Sequence, residues 1–463
     1  MMNSIVAVSP CCAGSCTPAQ QPAPTRETFC HPVVSMCPEC LRTIPGEVVA
    51  GPEGVFMRKT CPSHGRFECI ISSDLEAYER MLRSPRIVQL PKHTAMQVDK
   101  GCPDDCGLCP AHEQHTCLAI IEITSRCNLP CPVCLADSHA KGSDLTTEQV
   151  ASALKKLLHM EGGPTPLQFA GGEPTLHPNL VDIVRTARRL GFNKMEVDSN
   201  GLLLARRPAL ARELKAAGLT GVYLQMDGLD AREHTFIRGR DLTTEKRRAI
   251  ENCREAGLQV VLSVTIVPGA NDHRLWDIVR FAVEQRLTGV NFQSIAMSGR
   301  YPESVVPMGA RMTAGHFMRQ MEAQSGGRLL ASDLMPMSCP DPRCGLLAYV
   351  IVTREGELLP LNRLVGDERL LKHVADFTDW EPLLRQLGCG SSGCGCGGDT
   401  FLLDRLADSL NGAEYLSIGF HGMMDAFCFD AKRAQRCCVH KLTAEGKLMP
   451  FCLYNMKYRP REP

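Results

Sequence analysis

The chain has 463 residues, of which 44% are hydrophobic and 22% charged, so it resembles an average soluble protein and is not a disordered chain. Its 51 basic side chains balance 51 acidic ones, which removes the usual compositional sign of a nucleic-acid partner. No apolar run approaches the roughly 18 residues of a membrane span, and the first ten residues lack the pattern of a secretory signal. We therefore expect a cytoplasmic protein, at most peripheral to a membrane.

The cysteine content is the most informative part of the composition. The chain has 25 cysteines, an odd number in a long chain without an export signal, so a disulfide scaffold is not expected. In a reducing compartment, thiols in such numbers are better explained as soft metal ligands.

The N-terminal part is expected to hold a small metal-binding module. Residues 1–29 lack apolar periodicity and are predicted to be a mobile leader, while the module occupies residues 30–100. Two knuckles lie about twenty residues apart in the sequence, as in zinc ribbons and rubredoxins, and would hold one Zn or Fe ion. Their predicted ligands are Cys37, Cys40, Cys61 and His64, although Cys30 or Cys69 could replace the histidine.

A compact loop over residues 101–117 follows, with four cysteines that provide a complete ligand set. It predicts a fully ligated auxiliary [4Fe–4S] cluster on Cys102, Cys106, Cys109 and Cys117, with structural zinc as the alternative. Because such a cluster leaves no iron open, we expect it to transfer electrons.

Residues 118–300 alternate apolar runs with amphipathic stretches, at the spacing of βα units. The predicted strands are 118–124, 167–170, 195–198, 222–226, 260–267 and 290–295. The predicted helices are 146–160, 179–190, 208–217, 244–256 and 273–285. Six units are too few to close an eight-stranded barrel, so we expect a partial (β/α)6 barrel with its chemistry at the C-terminal ends of the strands.

Two motifs follow the first two predicted strands. Cys127, Cys131 and Cys134 put three thiolates on one loop, which would leave one iron of a [4Fe–4S] cluster open, unless the loop is a zinc knuckle. The second motif is Gly171-Gly172-Glu173-Pro-Thr, in which glycines permit close backbone approach and a carboxylate can bind an ammonium group. By itself, the second motif would indicate only a turn.

Together, these motifs resemble the radical S-adenosylmethionine (SAM) enzymes. The resemblance implies that Cys127, Cys131 and Cys134 hold the open-iron cluster and that Glu173 binds the amino group of SAM. It further implies that a reductant protein such as ferredoxin or flavodoxin drives SAM cleavage to a 5′-deoxyadenosyl radical, which abstracts a hydrogen atom. Family members often contact SAM from the next two strand ends, where Ser199, Asn200 and Asp227 are candidates unless they only cap turns.

The C-terminal region, residues 301–463, is expected to carry a further auxiliary cluster and part of the substrate site. Its predicted ligands are inferred from the remaining cysteines and are Cys339, Cys344, Cys438 and Cys452. Cys438 is chosen over Cys437 because a Cys-x-His step recurs in relatives. Cys389, Cys394 and Cys396 are predicted to lie in an exposed loop, and Cys253 to pack on a helix.

The order of all these motifs resembles the archaeal tetraether lipid synthases and their bacterial relatives, a family also described as dihydropterin methylases of methanopterin biosynthesis. This resemblance predicts a radical SAM barrel between a rubredoxin-like or zinc-ribbon-like module and an iron–sulfur region. The first functional hypothesis is the joining of lipid chains through a carbon–carbon bond. The alternative is radical methylation of a dihydropterin or another small molecule, and a remote alternative is a non-enzymatic metalloprotein.

Overall fold

The computed structural model describes residues 28–302, 311–353, 356–367 and 414–459. Residues 1–27 of the predicted leader lie outside these ranges, as does the predicted loop with Cys389, Cys394 and Cys396. The strands are β1 (Thr28–Met36), β2 (Thr43–Gly51), β3 (Gly54–Cys61), β4 (Gly65–Ser72), β5 (Leu118–Thr124), β6 (Leu167–Gly171), β7 (Met195–Ser199), β8 (Gly221–Gln225), β9 (Gln259–Ile266), β10 (Gly289–Ser294), β11 (Met335–Pro336), β12 (Gly345–Val352), β13 (Leu358–Pro360), β14 (Glu414–His421), β15 (Val439–Leu442) and β16 (Leu448–Pro450).

The helices are α1 (Leu75–Arg83), α2 (Thr147–Glu161), α3 (Leu180–Arg189), α4 (Leu202–Arg206), α5 (Pro208–Ala217), α6 (Ala231–Arg238), α7 (Thr243–Glu255), α8 (Leu275–Glu284), α9 (Ala314–Ser325), α10 (Leu361–Val365), α11 (Ala431–Gln435) and α12 (Phe451–Leu453). Several begin and end at sequence signals. Helix α2, for example, begins at a capping box formed by Thr146 and Gln149 and ends at Gly162, whose φ of 73° suits glycine. No described helix is long and apolar enough to span a bilayer.

The N-terminal module is an antiparallel sheet in the order β1-β2-β3-β4. Its apolar face is buried against the C-terminal part of the chain, where Met36 and Met57 pack with Phe429. Polar contacts join the same two parts, since Ser35 Oγ donates to the Phe429 carbonyl at 2.6 Å and Lys59 Nζ to the Ala426 carbonyl at 2.5 Å. The module is therefore attached to the rest of the protein by a packed, hydrogen-bonded contact.

The second sheet is the α/β core, in which β5 to β10 lie side by side and parallel, in chain order. Helices α2, α3, α5, α7 and α8 contribute apolar side chains to its main hydrophobic core. The prediction of an α/β fold with a partial barrel is confirmed. The predicted strands agree with the structure to within one residue at each end because each strand is a buried apolar run.

The C-terminal region extends this sheet at both edges, which the sequence did not predict. Strand β14 pairs parallel with β10, and β15 pairs parallel with β5. Eight parallel strands therefore follow one another in the order β15-β5-β6-β7-β8-β9-β10-β14, with antiparallel β12 and β16 beyond them. These edge strands belong to a region that shows no regular βα spacing, so its pattern gives no sign that it continues the barrel.

Candidate active site and metal centres

The three-cysteine loop follows β5 at the C-terminal end of the barrel strands. Its backbone is fixed by residues far away in the sequence: Cys134 N–H donates to the Arg300 carbonyl at 2.8 Å, and Arg300 Nε donates to the Cys131 carbonyl at 2.6 Å. Arg238 Nη1 donates to the Val133 carbonyl at 2.9 Å. The two arginines, one after β8 and one after β10, therefore orient the loop.

The glycine motif at the end of β6 packs directly on this loop. Gly172 N–H donates to the Thr124 carbonyl at 2.9 Å and Glu173 N–H to the Arg126 carbonyl at 2.8 Å. A Cβ atom on Gly171 would lie 2.0 Å from the Thr124 carbonyl oxygen, and one on Gly172 would lie 2.3 Å from that of Arg126. Both positions require glycine because the two motifs touch through their backbones.

Glu173 is buried and accepts hydrogen bonds from two strand ends. Its Oε1 accepts from Ser199 Oγ at 2.8 Å and from the Thr175 hydroxyl at 2.5 Å, and its Oε2 accepts from Asn200 N–H at 2.7 Å. Burial raises the pKa of Glu173 above its usual range. The network continues to the cysteine loop, since Asn200 Nδ2 donates to Asn128 Oδ1 at 2.8 Å. Three predicted SAM-contacting residues, Glu173, Ser199 and Asn200, thus lie together, engaged with one another.

Asp227, the fourth of these predicted SAM contacts, forms a buried ion pair with Arg238, with N···O distances of 2.6 and 2.8 Å. Burial opposes ionisation, but Arg238 still holds the pKa of Asp227 below its usual value. Asp227 Oδ1 also accepts from Thr265 N–H at 2.9 Å. Asp227 therefore fixes the arginine that holds the cysteine loop.

Lys246 contacts the same hydrogen-bonded group of residues, and the sequence analysis missed it. Its buried Nζ donates to the Asn200 carbonyl at 2.7 Å and to Gln225 Oε1 at 2.8 Å, and burial lowers its pKa to about 7. Arg238 and Arg300 were also missed. Arg238 ends a helix that was not predicted, and no local pattern distinguishes any of the three from an ordinary surface cation.

The N-terminal module gathers four donor atoms. Those of Cys37, Cys40, Cys61 and His64 all lie within 4.8 Å of one another. Cys37 and Cys61 are buried, and the Ser63 backbone N–H lowers the pKa of Cys61 to about 6, which favours the thiolate that metals bind. Zn–S bonds of about 2.3 Å place tetrahedral ligands about 3.8 Å apart, so the set fits one ion.

Neither alternative ligand of that module joins the group. The Cys69 thiol donates instead to the Phe427 carbonyl at 3.0 Å, and the Cys30 thiol lies 3.8 Å from the Thr28 carbonyl. Of the ligands left open by the sequence, His64 is therefore the one that the fold brings to the three cysteines.

The three-cysteine loop differs from that module in its spacing. Across the described ranges, only the module and a group of His115, Cys117 and Cys339 keep three or more donors mutually within 4.8 Å. The thiols of Cys127, Cys131 and Cys134 are more widely spread, which a multi-iron cluster accommodates and a single ion does not. Burial raises the pKa of Cys127 to about 11, so metal binding must displace a proton. The donor set fits a [4Fe–4S] cluster.

The auxiliary ligands are arranged differently from the two predicted quartets. The sulfur of Cys117 lies beside that of Cys339, with His115 Nε2 3.4 Å from the Cys117 sulfur. These three residues form a group of closely spaced donors, so one cysteine of each predicted quartet lies against a cysteine of the other. This contact brings together positions 222 residues apart, so local spacing could not reveal it.

The remaining auxiliary cysteines lie near one another. Cys102, Cys109 and Cys437 each raise the pKa of Cys106 electrostatically, after the larger effect of burial. Cys437 and Cys344 act in the same way on Cys452. Cys437, which the sequence analysis set aside in favour of Cys438, therefore lies between the two predicted sets.

A cavity of about 1370 Å³ occupies the interior of the barrel and reaches the cysteine loop at Cys134 and the glycine motif at Gly171. Its wall on β5 to β10 is rich in hydrogen-bonding side chains, namely Glu122, Gln168, Glu196, Asp198, Tyr223, Gln225, Ser263, Thr265, Asn291 and Gln293. Its wall on β12 is mainly apolar, with Leu346, Leu347, Tyr349 and Val350. The cavity thus combines a polar side with an apolar side, next to the candidate cluster site.

Comparison with known families and proteins agrees with this arrangement. Residues 121–282 match the radical SAM superfamily, and residues 29–73 match the family described as the HMPTM N-terminal zinc ribbon domain. The chain is 32% identical over 482 aligned positions to the 7,8-dihydro-6-hydroxymethylpterin dimethyltransferase of Methanocaldococcus jannaschii, covering 92% of this chain and 93% of that protein.

More distant matches cover only part of the chain. It is 30% identical to the probable GTP 3′,8-cyclase of Pyrococcus abyssi over 163 residues, 35% of this chain and 51% of that protein. Among solved structures, Streptococcus suis SuiB bound to precursor peptide SuiA matches with a TM-score of 0.38 and 12% identity, covering 76% of this chain and 63% of that one. A structural similarity this low adds nothing to the family matches.

Proposed function

We propose, from the premise that the chain belongs to the radical SAM superfamily and to the family of the Methanocaldococcus jannaschii dihydropterin dimethyltransferase, that its own substrate is a dihydropterin, which it methylates. The chain is a radical SAM enzyme that uses SAM, a [4Fe–4S] cluster and a reductant, and acts on a small molecule. The identity of that small molecule as a dihydropterin is our proposal.

The polar wall of the barrel cavity is the observation that carries this proposal. A dihydropterin is a flat ring system with hydrogen-bonding edges and apolar faces, which suits a cavity with one polar and one apolar wall. A long lipid chain would leave the Asp198 carboxylate and Asn291 Oδ1 without hydrogen-bond partners, at a cost in free energy. The lipid-joining hypothesis, which was the first choice from the sequence, has no support in the comparisons.

Different residues of the chain would hold the cluster, orient its loop and face the substrate. When bound, a [4Fe–4S] cluster with SAM supplies one-electron cleavage of SAM and hydrogen abstraction. We assign Cys127, Cys131 and Cys134 as the cluster ligands, and Arg238 and Arg300 as the residues that orient their loop. Because Cys134 lines the cavity, a substrate there lies beside the reactive centre.

The remaining site residues bind SAM, pass electrons or hold a structural metal ion in this proposal. Gly171, Gly172, Glu173, Ser199 and Asn200 shape the SAM site at the ends of β6 and β7. We further propose that the cysteines around Cys106 and Cys452 hold auxiliary clusters that pass electrons. The module with Cys37, Cys40, Cys61 and His64 holds one structural Zn or Fe ion.

The test is anaerobic reconstitution of the full chain, followed by iron and sulfide analysis and a measurement of 5′-deoxyadenosine. We expect 7,8-dihydro-6-hydroxymethylpterin to accelerate SAM cleavage, with a methylated pterin detected by mass spectrometry. A detergent-solubilised diether lipid should have no effect. Acceleration by the lipid, and not by the dihydropterin, would overturn the proposed substrate.

A further inference from the structure

We propose that Glu196 and Asp198, two acids on the cavity side of β7, form a subsite that binds the N–H donor edge of a 2-amino-4-oxo pyrimidine ring. This assignment rests on the proposed function, which places a dihydropterin in the cavity. It adds which residues recognise the ligand and which edge of the ligand they bind.

The position of the two acids follows from the strand geometry. Residues i and i+2 of a strand point to the same side, and in β7 Glu196 and Asp198 line the cavity while Val197 between them is buried in the main hydrophobic core. Glu196 Oε1 accepts from Gln168 Nε2 at 2.7 Å. Asp198 lies opposite Tyr223 in the register of β7 with β8.

Among the described residues, these two carboxylates form no ion pair, although Lys441 and Arg238 favour the ionised form of Asp198 from a distance. Three acidic residues line the cavity. The first, Glu122, is paired with Lys441 at 2.6 Å and with Arg459 at 2.9 Å, so that its pKa is about 2 although burial opposes ionisation. Within the described part of the chain, neither Glu196 nor Asp198 forms a salt bridge, and Asp198 makes no side-chain hydrogen bond either.

Glu196 and Asp198 are half-buried at the cavity wall, and a ligand that displaces water from a carboxylate there must supply donors of its own. Burial, the largest influence on both groups, raises the pKa of Glu196 to about 7 and that of Asp198 to about 6. A carboxylate has two oxygens that accept hydrogen bonds side by side. The exocyclic amino group and the adjacent ring N–H of a 2-amino-4-oxo pyrimidine present two parallel donors, which match it.

The neighbouring strands offer a further acceptor to the same ligand. Tyr223 Oη accepts from Asn291 Nδ2 at 2.6 Å and from Gln293 Nε2 at 2.7 Å. This leaves Asn291 Oδ1 buried, with no hydrogen-bond partner among the residues described. The polar wall therefore has more unpaired acceptors than donors, as expected for a ligand rich in N–H groups.

The test measures equilibrium binding of 7,8-dihydro-6-hydroxymethylpterin to the reconstituted full chain, and to variants Glu196→Gln and Asp198→Asn. Loss of a hydrogen bond to a charged group predicts binding about 10- to 100-fold weaker in each variant. Asp182→Asn makes the same chemical change on the exposed surface of α3 and should bind as the wild type does.

A second ligand separates direct contact from general damage to the cavity. The 2-deamino analogue, a 7,8-dihydropteridin-4(3H)-one with hydrogen at C2, lacks the exocyclic donor, so the wild type should bind it about 100-fold more weakly than the pterin. The two variants should lose this discrimination, and a merely damaged cavity should keep it. Unchanged thermal midpoints would show that the variants fold.

The possible outcomes distinguish the two proposals. If the wild type does not bind the dihydropterin, the proposed function is overturned, and this assignment with it. If the wild type binds it, and Glu196→Gln and Asp198→Asn bind it equally well with full discrimination against the analogue, only the assignment is overturned. Weaker binding with lost discrimination supports it.

Discussion

The N-terminal module and the mouth of the barrel both present cysteines, but they hold them in different ways. In the module, two turns of one small antiparallel sheet bring Cys37, Cys40, Cys61 and His64 together. At the barrel mouth, the cysteine loop depends on Arg238 and Arg300, which lie more than a hundred residues further along the chain. The first site is built by local structure, and the second by the completed fold.

This difference predicts different consequences of damage. A ligand of the module contributes to stability through metal binding, because its binding free energy is partly folding free energy. A ligand or positioning residue at the barrel mouth contributes to the reaction, because the fold there is stabilised by the apolar core of the sheet. The following predictions test that separation.

The largest effect is expected at the barrel mouth. Cys131→Ala should abolish 5′-deoxyadenosine formation while the thermal midpoint stays close to that of the wild type, because one of three cluster ligands is lost and little packing is. Cys253→Ala, a buried cysteine on α7 outside every predicted site, is the matched control and should keep SAM cleavage. Full cleavage by Cys131→Ala would refute the ligand assignment.

Damage to the auxiliary sites should act later in the reaction. Cys109→Ala or Cys452→Ala should still produce 5′-deoxyadenosine, yet yield little methylated product, if these cysteines hold electron-transfer clusters. Each variant must first show an intact open-iron cluster by spectroscopy. Normal product yield from both variants would mean that the auxiliary sites are only structural.

Arg238→Gln should lower both the stability of the fold and the rate of SAM cleavage. It leaves Asp227 buried without its cation, which costs about 3–5 kcal/mol of unfolding free energy. It also removes the donor to the Val133 carbonyl, so SAM cleavage per folded molecule should fall. The double variant Arg238→Gln/Asp227→Asn should regain stability in urea unfolding but not cleavage. If the double variant is as unstable as Arg238→Gln alone, the lost stability does not come from the unpaired Asp227 carboxylate.

Cys40→Ala should do the reverse of Cys131→Ala. Cys40 is exposed, so its loss removes little packing, and any fall in thermal midpoint reports lost metal binding. We expect the midpoint to fall by several degrees with SAM cleavage per folded molecule preserved. Cys30→Ala, on the same sheet but outside the donor group, is the control. An unchanged midpoint in Cys40→Ala would exclude a structural metal.

The smallest effect is a pH dependence within the cavity. Burial raises the pKa of Glu196 from 4.5 to about 7 in the folded chain, so the folded state holds a proton that the unfolded state releases between these values. Stability relative to Glu196→Gln should therefore fall as pH rises from 4.5 to 7, by up to roughly 3 kcal/mol. Urea unfolding at pH 5 and 7.5 measures this. If the stability difference between the wild type and Glu196→Gln is the same at pH 5 and pH 7.5, Glu196 is not desolvated.

The comparison also explains what the sequence could predict. Strands β5 to β10 are short buried runs with strong local signals, and the four donors of the module follow a local spacing. By contrast, α4 is short and follows the end of β7 directly, so it lacked a signal, whereas α6 does begin at a recognisable capping box, formed by Asp230 and Glu233. The strands β14 and β15 were missed because their partners lie far away in the chain, and a strand is identified by its pairing as much as by its residues.

The same reason limits prediction of the site. Glycine at 171 and 172 and cysteine at 127, 131 and 134 are required by close packing and metal chemistry, so their motifs are recognisable. Lys246 and Arg300 act through contacts between distant segments and look like surface cations in sequence. The sequence does contain a weak sign of the two acids of β7. Acidic residues two positions apart in a strand point to the same side of the sheet.

Strand β15 also bears on how the protein is made. Its Lys441 pairs with Glu122 of β5 across 319 residues of sequence, so this edge of β5 stays unpaired until β15 has been synthesised. At about 5–20 residues per second, that interval is about 15–60 s on the ribosome. During it, the N-terminal sheet can already fold and bind its ion, while the cysteine loop beside β5 is still open to the machinery that delivers iron and sulfide. Strand β15 would then pair with β5 beside a loop that has had time to receive its cluster.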